Sequence, residues 1–269
     1  MGAKVGRAVS CDNAAPTSAN LAMLPILYED DQLIAIHKPT NLLVHRTVLD
    51  KHERRFALQM LREQIGQRVY PAHRLDKGTS GVLLFGKSRD AGRELSWRFE
   101  RQEVEKTYLA VVRGWPAAQG EIDHALARRV DDLEWIGETV STEPQPAVTR
   151  YKTLATVELP VAVDRYPQSR YALVELSPLT GRRHQLRRHM KHIAHPIIGD
   201  GTHGKGCHNR MFADYLGSDR LLLACVEMRL VHPFTNEPLT LTAPLAPELA
   251  ALIYRLGWRD AVPARFWPT

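Results

Sequence analysis

Hydrophobic positions in this chain occur mostly in short runs or in alternation with polar residues, a pattern typical of β-strands. Apolar runs at 26–28 and 33–36 flank the acidic turn 29–31, and this arrangement predicts a hairpin. Further strands are predicted at 82–85, 104–113, 147–158 and 170–177, with a second hairpin over 221–244. Apolar residues at helical spacing predict helices that contain residues 56–65, 91–99, 186–193 and 249–256. We expect the first helix to end before Gly66, Trp97 to lie in the core, and the strand that contains 33–36 to end at Lys38.

The order of these elements predicts an α+β fold. Strands outnumber helices and are mostly joined by hairpins, so we expect a largely antiparallel mixed sheet with flanking helices instead of alternating βαβ units. Residues 1–22 are small, polar and without periodicity, which is typical of a disordered tail. Residues 23–269 show no repeats and no linker, and we expect them to form a single domain.

The charge distribution favours a polyanionic partner. The 269 residues include 36 Lys+Arg against 30 Asp+Glu, for a net charge of +6, and the densest basic run is 182–192, which suggests RNA. Three widely separated cysteines indicate neither a disulfide framework nor a zinc ribbon. No apolar run reaches membrane-spanning length and no secretory signal is evident. We therefore expect a soluble cytoplasmic protein that does not contact a membrane.

Several common chemistries lack their motifs. A Gly-x-Ser-x-Gly elbow, a P-loop and a Gly-x-Gly-x-x-Gly turn are not found in the sequence. The histidines at 184, 189, 192 and 195 do not follow the spacing of a zinc site. The acidic segment 131–134 has no accompanying ligand pattern. We therefore expect neither a metal nor a cofactor.

Asp76 is the candidate reacting group. It lies between cationic and apolar residues in the loop 73–81 and precedes a Thr-Ser-Gly turn and an apolar run. The alternative is a surface ion pair in an Asx-turn. A glycosidase needs two carboxyl groups, and only one is evident here. A single carboxylate suits a glycosidic bond whose departing base can itself carry negative charge.

Three segments resemble motifs of the RluA-type pseudouridine synthases. Residues 73–81 resemble the family's His-Arg-Leu-Asp-x-x-Thr-Ser-Gly, residues 106–108 its Lys-x-Tyr, and residues 181–189 its Gly-Arg-x-His-Gln-Leu/Ile-Arg-x-His. The segments occur in the family's order, and the resemblance covers roughly residues 24–260. It implies the pseudouridine synthase fold, a catalytic cleft, and isomerisation of uridine without a cofactor or metal.

The resemblance also implies roles for individual residues. Asp76 would attack or deprotonate the ribose, and sequence leaves open whether an ester or a glycal forms. Arg187 would pair with Asp76 and keep it ionised. Tyr108 would stack on the target base and is a candidate to take its C5 proton, the alternative being a core tyrosine.

RNA contacts are implied mainly for arginines. Arg74 would fill the space left by the flipped uridine. Lys106 is equally a phosphate contact or a strand-edge charge. The basic run assigns Arg182, Arg183 and Arg188 to RNA binding. A histidine that the family often carries is replaced by Ala224, which puts any contact of that histidine in doubt.

The choice of RNA rests on weaker signals. Residues 42–46, 145–149 and 195–200 and the doubled arginines at 182–183 and 187–188 resemble members that act on uridine 65 in the T stem of tRNA. Ribosomal RNA is the alternative substrate, and a structured-RNA binder without chemistry is the alternative class. We expect a monomer with no separate N-terminal RNA-binding module and no obligate protein partner.

Overall fold

The computed structural model describes residues 23–45, 54–127 and 143–268. The predicted tail at 1–22 and the acidic segment 131–134 lie outside the described residues. The strands are β1 (Ile26–Glu29), β2 (Leu33–Lys38), β3 (Tyr70–Pro71), β4 (Ser80–Gly86), β5 (Glu105–Arg113), β6 (Gln119–Asp123), β7 (Val148–Leu159), β8 (Ser169–Pro178), β9 (Leu223–Val231) and β10 (Pro238–Thr242). The helices are α1 (Ala57–Ile65), α2 (Arg89–Glu100), α3 (Gln185–His192), α4 (Gly206–Leu216) and α5 (Pro247–Arg255).

The strands form one mixed sheet in the order β1-β2-β4-β9-β5-β8-β7-β6, with β10 beside β9 and β3 beside β4. Among the strands named above, the parallel pairing is that of β4 with β9, and the other pairings are antiparallel. Both predicted hairpins and the largely antiparallel mixed sheet are confirmed.

Hydrophobic residues cover both faces of the sheet. On one face, Leu61 of α1, Leu95 of α2 and Met190 of α3 join a common core cluster. On the other face, helices α4 and α5 pack against a second cluster. Side chains of β5 alternate between the two clusters, as a strand requires, and its Tyr108 lies on the face of α3.

Ser88 caps α2, because the Ala91 amide donates to its Oγ at 3.1 Å. Gly66 ends α1 in the left-handed conformation, as the sequence predicted for the end of this helix. Across the described ranges, no helix is long and apolar enough to cross a membrane.

Two sequence expectations were wrong or incomplete. Helix α4 was not predicted, because it begins without a side-chain cap and its buried face includes a histidine, His208. Trp97 was expected in the core, but the residue is 43% exposed and the Arg93 guanidinium lies 5.6 Å from the ring centre. A single tryptophan at helical spacing does not reveal which face of α2 it occupies.

Candidate active site

Asp76 lies in the loop between β3 and β4, and backbone contacts hold this loop. The Thr79 amide donates to the Asp76 carbonyl at 3.0 Å, and the Thr40 hydroxyl donates to the Gly78 carbonyl at 2.8 Å. Gly81 has φ +116°, and a Cβ there would collide with the Cys225 carbonyl of β9. The Thr-Ser-Gly turn therefore brings the loop against the parallel neighbour strand.

A buried lysine, Lys38, also holds the loop that carries Asp76. Lys38 is fully buried, and its ammonium donates to the carbonyls of Pro39, Leu42 and Lys77 at 2.9, 2.7 and 3.1 Å. Burial lowers the pKa of Lys38 to about 7, although the charge of Asp76 opposes this shift. The sequence indicated this residue only as the end of a strand, because its partners are carbonyls that no motif specifies.

His73 is neutral and structural. Burial lowers its pKa to about 3. The Leu84 amide donates to Nε2 at 3.1 Å, which places the ring proton on Nδ1. The ring stacks on Phe99 with 4.5 Å between centroids. The first residue of the motif thus packs the loop against β4 and α2.

Arg187 connects two carboxylates. Its Nη1 donates to Asp76 Oδ2 at 3.0 Å, while Nε and Nη2 donate to Asp200 at 2.7 and 2.8 Å. Burial works against its charge, but the hydrogen bonds and negative charge of Asp200 and Asp76 raise the pKa of Arg187. This bidentate fork fixes the guanidinium, and the guanidinium fixes one oxygen of Asp76.

Asp200 is a further site residue whose role sequence reasoning did not identify. It is 1% exposed, and Oδ1 also accepts the amides of Thr202 and His203 at 2.9 and 2.8 Å. Burial would raise its pKa, but Arg187 and these amides lower it. Asp200 therefore stays ionised and anchors Arg187.

The start of α3 is tied to the sheet by Gln185. Its amide donates to the Val148 carbonyl at 2.9 Å and to Thr149 Oγ1 at 3.0 Å, and its Oε1 accepts from Thr180 at 2.7 Å. No side-chain cap is present at His184, so these bonds fix the start of α3 against the sheet without capping it. Arg187 lies two residues further along the same helix.

Tyr108 faces Asp76 across a cleft of about 410 Å³. Burial and the neighbouring Cys225 raise the pKa of Tyr108 well above its usual value. Lys106 lines the same wall, and burial lowers its pKa. Asp76, Tyr108 and Arg187 are thus brought together as predicted, in a cleft sized for a nucleoside.

The profile described as RNA pseudouridylate synthase matches residues 32–192. The chain belongs to the RNA pseudouridylate synthase family. Members of this family are isomerases. The resemblance drawn from three motifs is thereby confirmed.

Full-length relatives and solved structures agree. The chain is 46% identical over 240 residues to tRNA pseudouridine synthase C of Vibrio cholerae, covering 89% of this chain and 98% of the relative. It is 48% identical over 241 residues to the protein of that name from Yersinia pestis, covering 90% and 94%. Human RNA Pseudouridylate Synthase Domain Containing 1 has a TM-score of 0.65 and 25% identity, covering 88% and 90% of the two chains.

The predicted RNA-binding residues of this pseudouridylate synthase separate into two groups. Arg74, Arg182 and Arg183 line the cleft with Lys106. Arg188 does not line it, and its Nη1 donates to the Ala127 carbonyl at 3.0 Å. The structure therefore brings four of the five to the cleft.

Position 224 does not face the cleft. Leu223 lines the cleft, whereas Ala224 belongs to the core cluster on the opposite face. Alternation along β9 explains this difference. A histidine at 224 would point away from Asp76, so the departure from the family pattern leaves the cleft unchanged.

In the described part of the chain, no group of three His, Cys, Asp or Glu side chains is arranged to hold a metal. The sequence-based expectation of a metal-free site stays a prediction.

Proposed function

We propose that this pseudouridylate synthase converts uridine to pseudouridine in tRNA, at uridine 65 of the T stem. Similarity to tRNA pseudouridine synthase C over nearly the whole length supports tRNA as the substrate. The observation that carries the catalytic part is the carboxylate of Asp76, whose Oδ2 is held 3.0 Å from Arg187 Nη1 in the cleft.

Asp76 acts on the ribose. It either forms an ester at C1′ or removes the C2′ proton to give a glycal; in both routes the bond from C1′ to N1 breaks and the electron pair leaves with uracil. Uracil then turns in the cleft and C5 bonds to C1′. In the ester route the bond from C1′ to the Asp76 oxygen breaks and frees the carboxylate, and in the glycal route C2′ regains its proton. The C5 proton is then lost, and N1 takes up a proton. These steps require no oxidant, metal or nucleotide.

Arg187 keeps Asp76 ionised and in one rotamer, since an adjacent cation favours the carboxylate over the acid. Asp200 acts through Arg187 as a positioning residue. Tyr108 stacks on the target base. Its raised pKa favours this role over removal of the C5 proton, because a protonated phenol is a poor base.

RNA is held at the rim of the cleft. Arg74 is exposed beside Asp76 and stacks in the space left by the flipped uridine, which offsets part of the flipping cost of a few kcal/mol. Arg182, Arg183 and Lys106 contact phosphates or bases at the entrance. We assign Arg188 to phosphates farther along the RNA.

The protein works as a cytoplasmic monomer. Residues 23–269 form a single catalytic domain after the tail 1–22, with no metal, cofactor or obligate protein partner.

Tritium release from C5 of uridine in an unmodified tRNA transcript tests the proposal. The wild type is expected to release tritium without added metal or nucleotide, and Asp76→Asn is expected to release none. Asp90→Asn is a matched control, because Asp90 is an exposed carboxylate on α2 outside the cleft. Mapping of pseudouridine then identifies the site.

Other outcomes redirect the proposal. Release from ribosomal RNA but not from tRNA would replace the substrate. No release from either RNA, with tight binding that Asp76→Asn leaves unchanged, would indicate a structured-RNA binder.

A further inference from the structure

His184 lies beside Asp76, and no role has yet been assigned to it. Its Nε2 is 3.8 Å from Asp76 Oδ1, the oxygen that Arg187 does not bond. Its Nδ1 is 3.1 Å from Nε2 of His203, which is 2% exposed. The side chain also lines both the cleft and an adjoining cavity of about 280 Å³.

These residues close a ring of polar contacts. Arg187 donates hydrogen bonds to Asp76 and to Asp200, and Asp200 accepts a hydrogen bond from the backbone amide of His203. The ring of His203 contacts the ring of His184, and His184 in turn lies next to Asp76. The buried His203 therefore holds the Nδ1 side of His184, while the Nε2 side faces Asp76.

The contacts with His203 and Asp76 together determine which nitrogen of His184 carries the proton. One of the two facing nitrogens must donate and the other must accept. If His184 donated from Nδ1, its bare Nε2 would face the Asp76 carboxylate, and two electron-rich atoms would oppose each other. The favourable arrangement has His203 donating, so that Nε2–H of His184 points toward Asp76.

A neutral ring is consistent with its surroundings. Burial lowers the pKa of His184, and the charges of Arg187 and Arg183 act in the same direction, against Asp76 and Asp200. His203 and Asp76 are the groups that face its two nitrogens.

The gap between His184 and Asp76 is suited to a hydroxyl group. A separation of 3.8 Å is too long for a direct hydrogen bond, but an oxygen can lie within bonding distance of both atoms. That oxygen must accept from Nε2–H and donate to the carboxylate, and a hydroxyl does both. Within an RNA strand the 3′ and 5′ oxygens are esterified, so the 2′-hydroxyl is the free hydroxyl of the ribose. It is attached to the carbon next to C1′.

We propose that His184 donates a hydrogen bond from Nε2 to the 2′-hydroxyl of the target nucleotide, and that this hydroxyl donates to Asp76 Oδ1. His184 is thus a ribose-binding residue that places the sugar on Asp76 and distinguishes RNA from DNA at the target position. The inference rests on the proposed function, because it places the ribose of a target uridine at Asp76.

A binding cycle tests the contact. Dissociation constants are measured for a tRNA with pseudouridine at the target position and for one with 2′-deoxypseudouridine there, since the product is not converted further and Asp76 stays intact. The hydroxyl makes two hydrogen bonds, and the neutral one to His184 corresponds to about a fivefold change in affinity, the one to the carboxylate to about tenfold or more. The wild type is therefore expected to bind the deoxy RNA about 50-fold more weakly.

Two substitutions form a matched pair. His184→Asn tolerates the left-handed backbone at φ 53° and retains a polar atom near Nδ1, but it does not reach Asp76. It is expected to reduce the penalty for the deoxy RNA about fivefold, because the bond to His184 is lost and the bond to Asp76 remains. His184→Gln extends an amide toward the position of Nε2 and is expected to retain most of the penalty.

Each outcome decides the proposal. An equal deoxy penalty in the wild type and His184→Asn, or no penalty in the wild type, would overturn it. His184→Gly removes the ring entirely, tolerates the positive φ and carries the same expectation, so it serves if the Asn variant does not fold. Tritium release by the wild type is measured in parallel. If the wild type releases no tritium, the proposed function is refuted. If it releases tritium but the deoxy penalty is the same in the wild type and His184→Asn, only the ribose contact is refuted.

Discussion

Arg187 and Arg74 both lie next to Asp76, but their surroundings differ. Arg187 is 8% exposed and its guanidinium binds two carboxylates, whereas Arg74 is exposed at the rim. The same contrast separates His73, which is neutral and packed, from its chain neighbour Arg74. The floor of the cleft, formed by Asp76, Arg187 and Asp200, therefore has a fixed geometry. Its rim, formed by Arg74, Arg182 and Arg183, presents positive charge to a ligand.

Chemistry and RNA binding place different demands on these two regions. A carboxylate that must act on a ribose needs a fixed position, and only fully bonded buried partners provide that. Phosphate contacts tolerate mobility, because the attraction is long-ranged and depends on salt. Substitutions at the floor should change rate or stability, and substitutions at the rim should change affinity.

The largest effect is expected at Asp76. We expect Asp76→Asn to lower turnover by about 10⁴-fold or more, because an amide neither attacks nor accepts the ribose proton. Asp76→Glu keeps the charge but moves it by about 1 Å, and we expect a loss of about 10²-fold. Single-turnover kinetics with excess enzyme measure both. Equal activity of wild type and Asp76→Glu would show that the floor is not a fixed geometry.

The next effect is on stability at Asp200. Asp200→Asn leaves the buried Arg187 charge without its bidentate partner, and breaking such a pair costs about 3 kcal/mol or more. Urea unfolding measures this loss. Asp164→Asn removes a pair with Lys205 that is 42–47% exposed, and we expect a change within about 0.5 kcal/mol. A similar loss in both variants would contradict the contrast between buried and exposed pairs.

His73 predicts a pH dependence of stability. Its pKa is about 3 in the folded protein, against 6.5 for a histidine with no such burial, so the unfolded chain binds more protons between these values. Its contribution is complete above pH 6.5 and is lost as the pH falls toward 3. At pH 5 the loss from this residue is about 2 kcal/mol.

His73→Gln can accept the Leu84 amide without titrating, so it should show a flatter decline in the free energy of unfolding between pH 7 and 5. Thermal unfolding at several pH values compares the two proteins. Identical pH profiles would exclude His73 as a source of acid sensitivity.

The smallest effects are expected at the rim. Arg182→Ala and Arg183→Ala should each weaken tRNA binding and reduce the slope of log affinity against log salt by about 0.7 to 0.9. The rate at saturating enzyme should change little. Arg259→Ala removes an exposed arginine that stacks on Trp267 away from the cleft, and it should leave the slope unchanged. A rim variant with an unchanged slope would remove that arginine from the RNA interface.

Local patterns predicted much of the fold. Alternation and turn residues predicted the strands and both hairpins, because a half-buried strand must repeat with a period of two. The unpredicted α4 and the misplaced Trp97 show the limit of this reasoning. Their positions depend on which face of the sheet still needs a helix to bury its hydrophobic residues, and the packing of strands distant in sequence decides that.

The candidate site divides in a similar way. Asp76 was indicated by its sequence surroundings, and the resemblance supplied its role and added Tyr108 and Arg187. Lys38, His184 and Asp200 were missed or left without a role, since each acts through neighbours that are remote in sequence or belong to the backbone. Arg188 was predicted to bind RNA, and this stays a prediction; its side chain donates to the Ala127 carbonyl and does not line the cleft.

The order of amino acids was enough to predict the family from three motifs, to indicate Asp76 as the candidate carboxylate, and to predict the type of secondary structure from short-range periodicity. The pairing of Arg187 with Asp76 was implied by the resemblance, but only the folded chain decided that Asp200 holds Arg187 and that His184 faces the remaining oxygen of Asp76. Asp76 and Arg187 are 111 residues apart, and no local pattern specifies such a distance. The sheet order and the rotation of α3 set it, and both arise from the burial of the two core clusters.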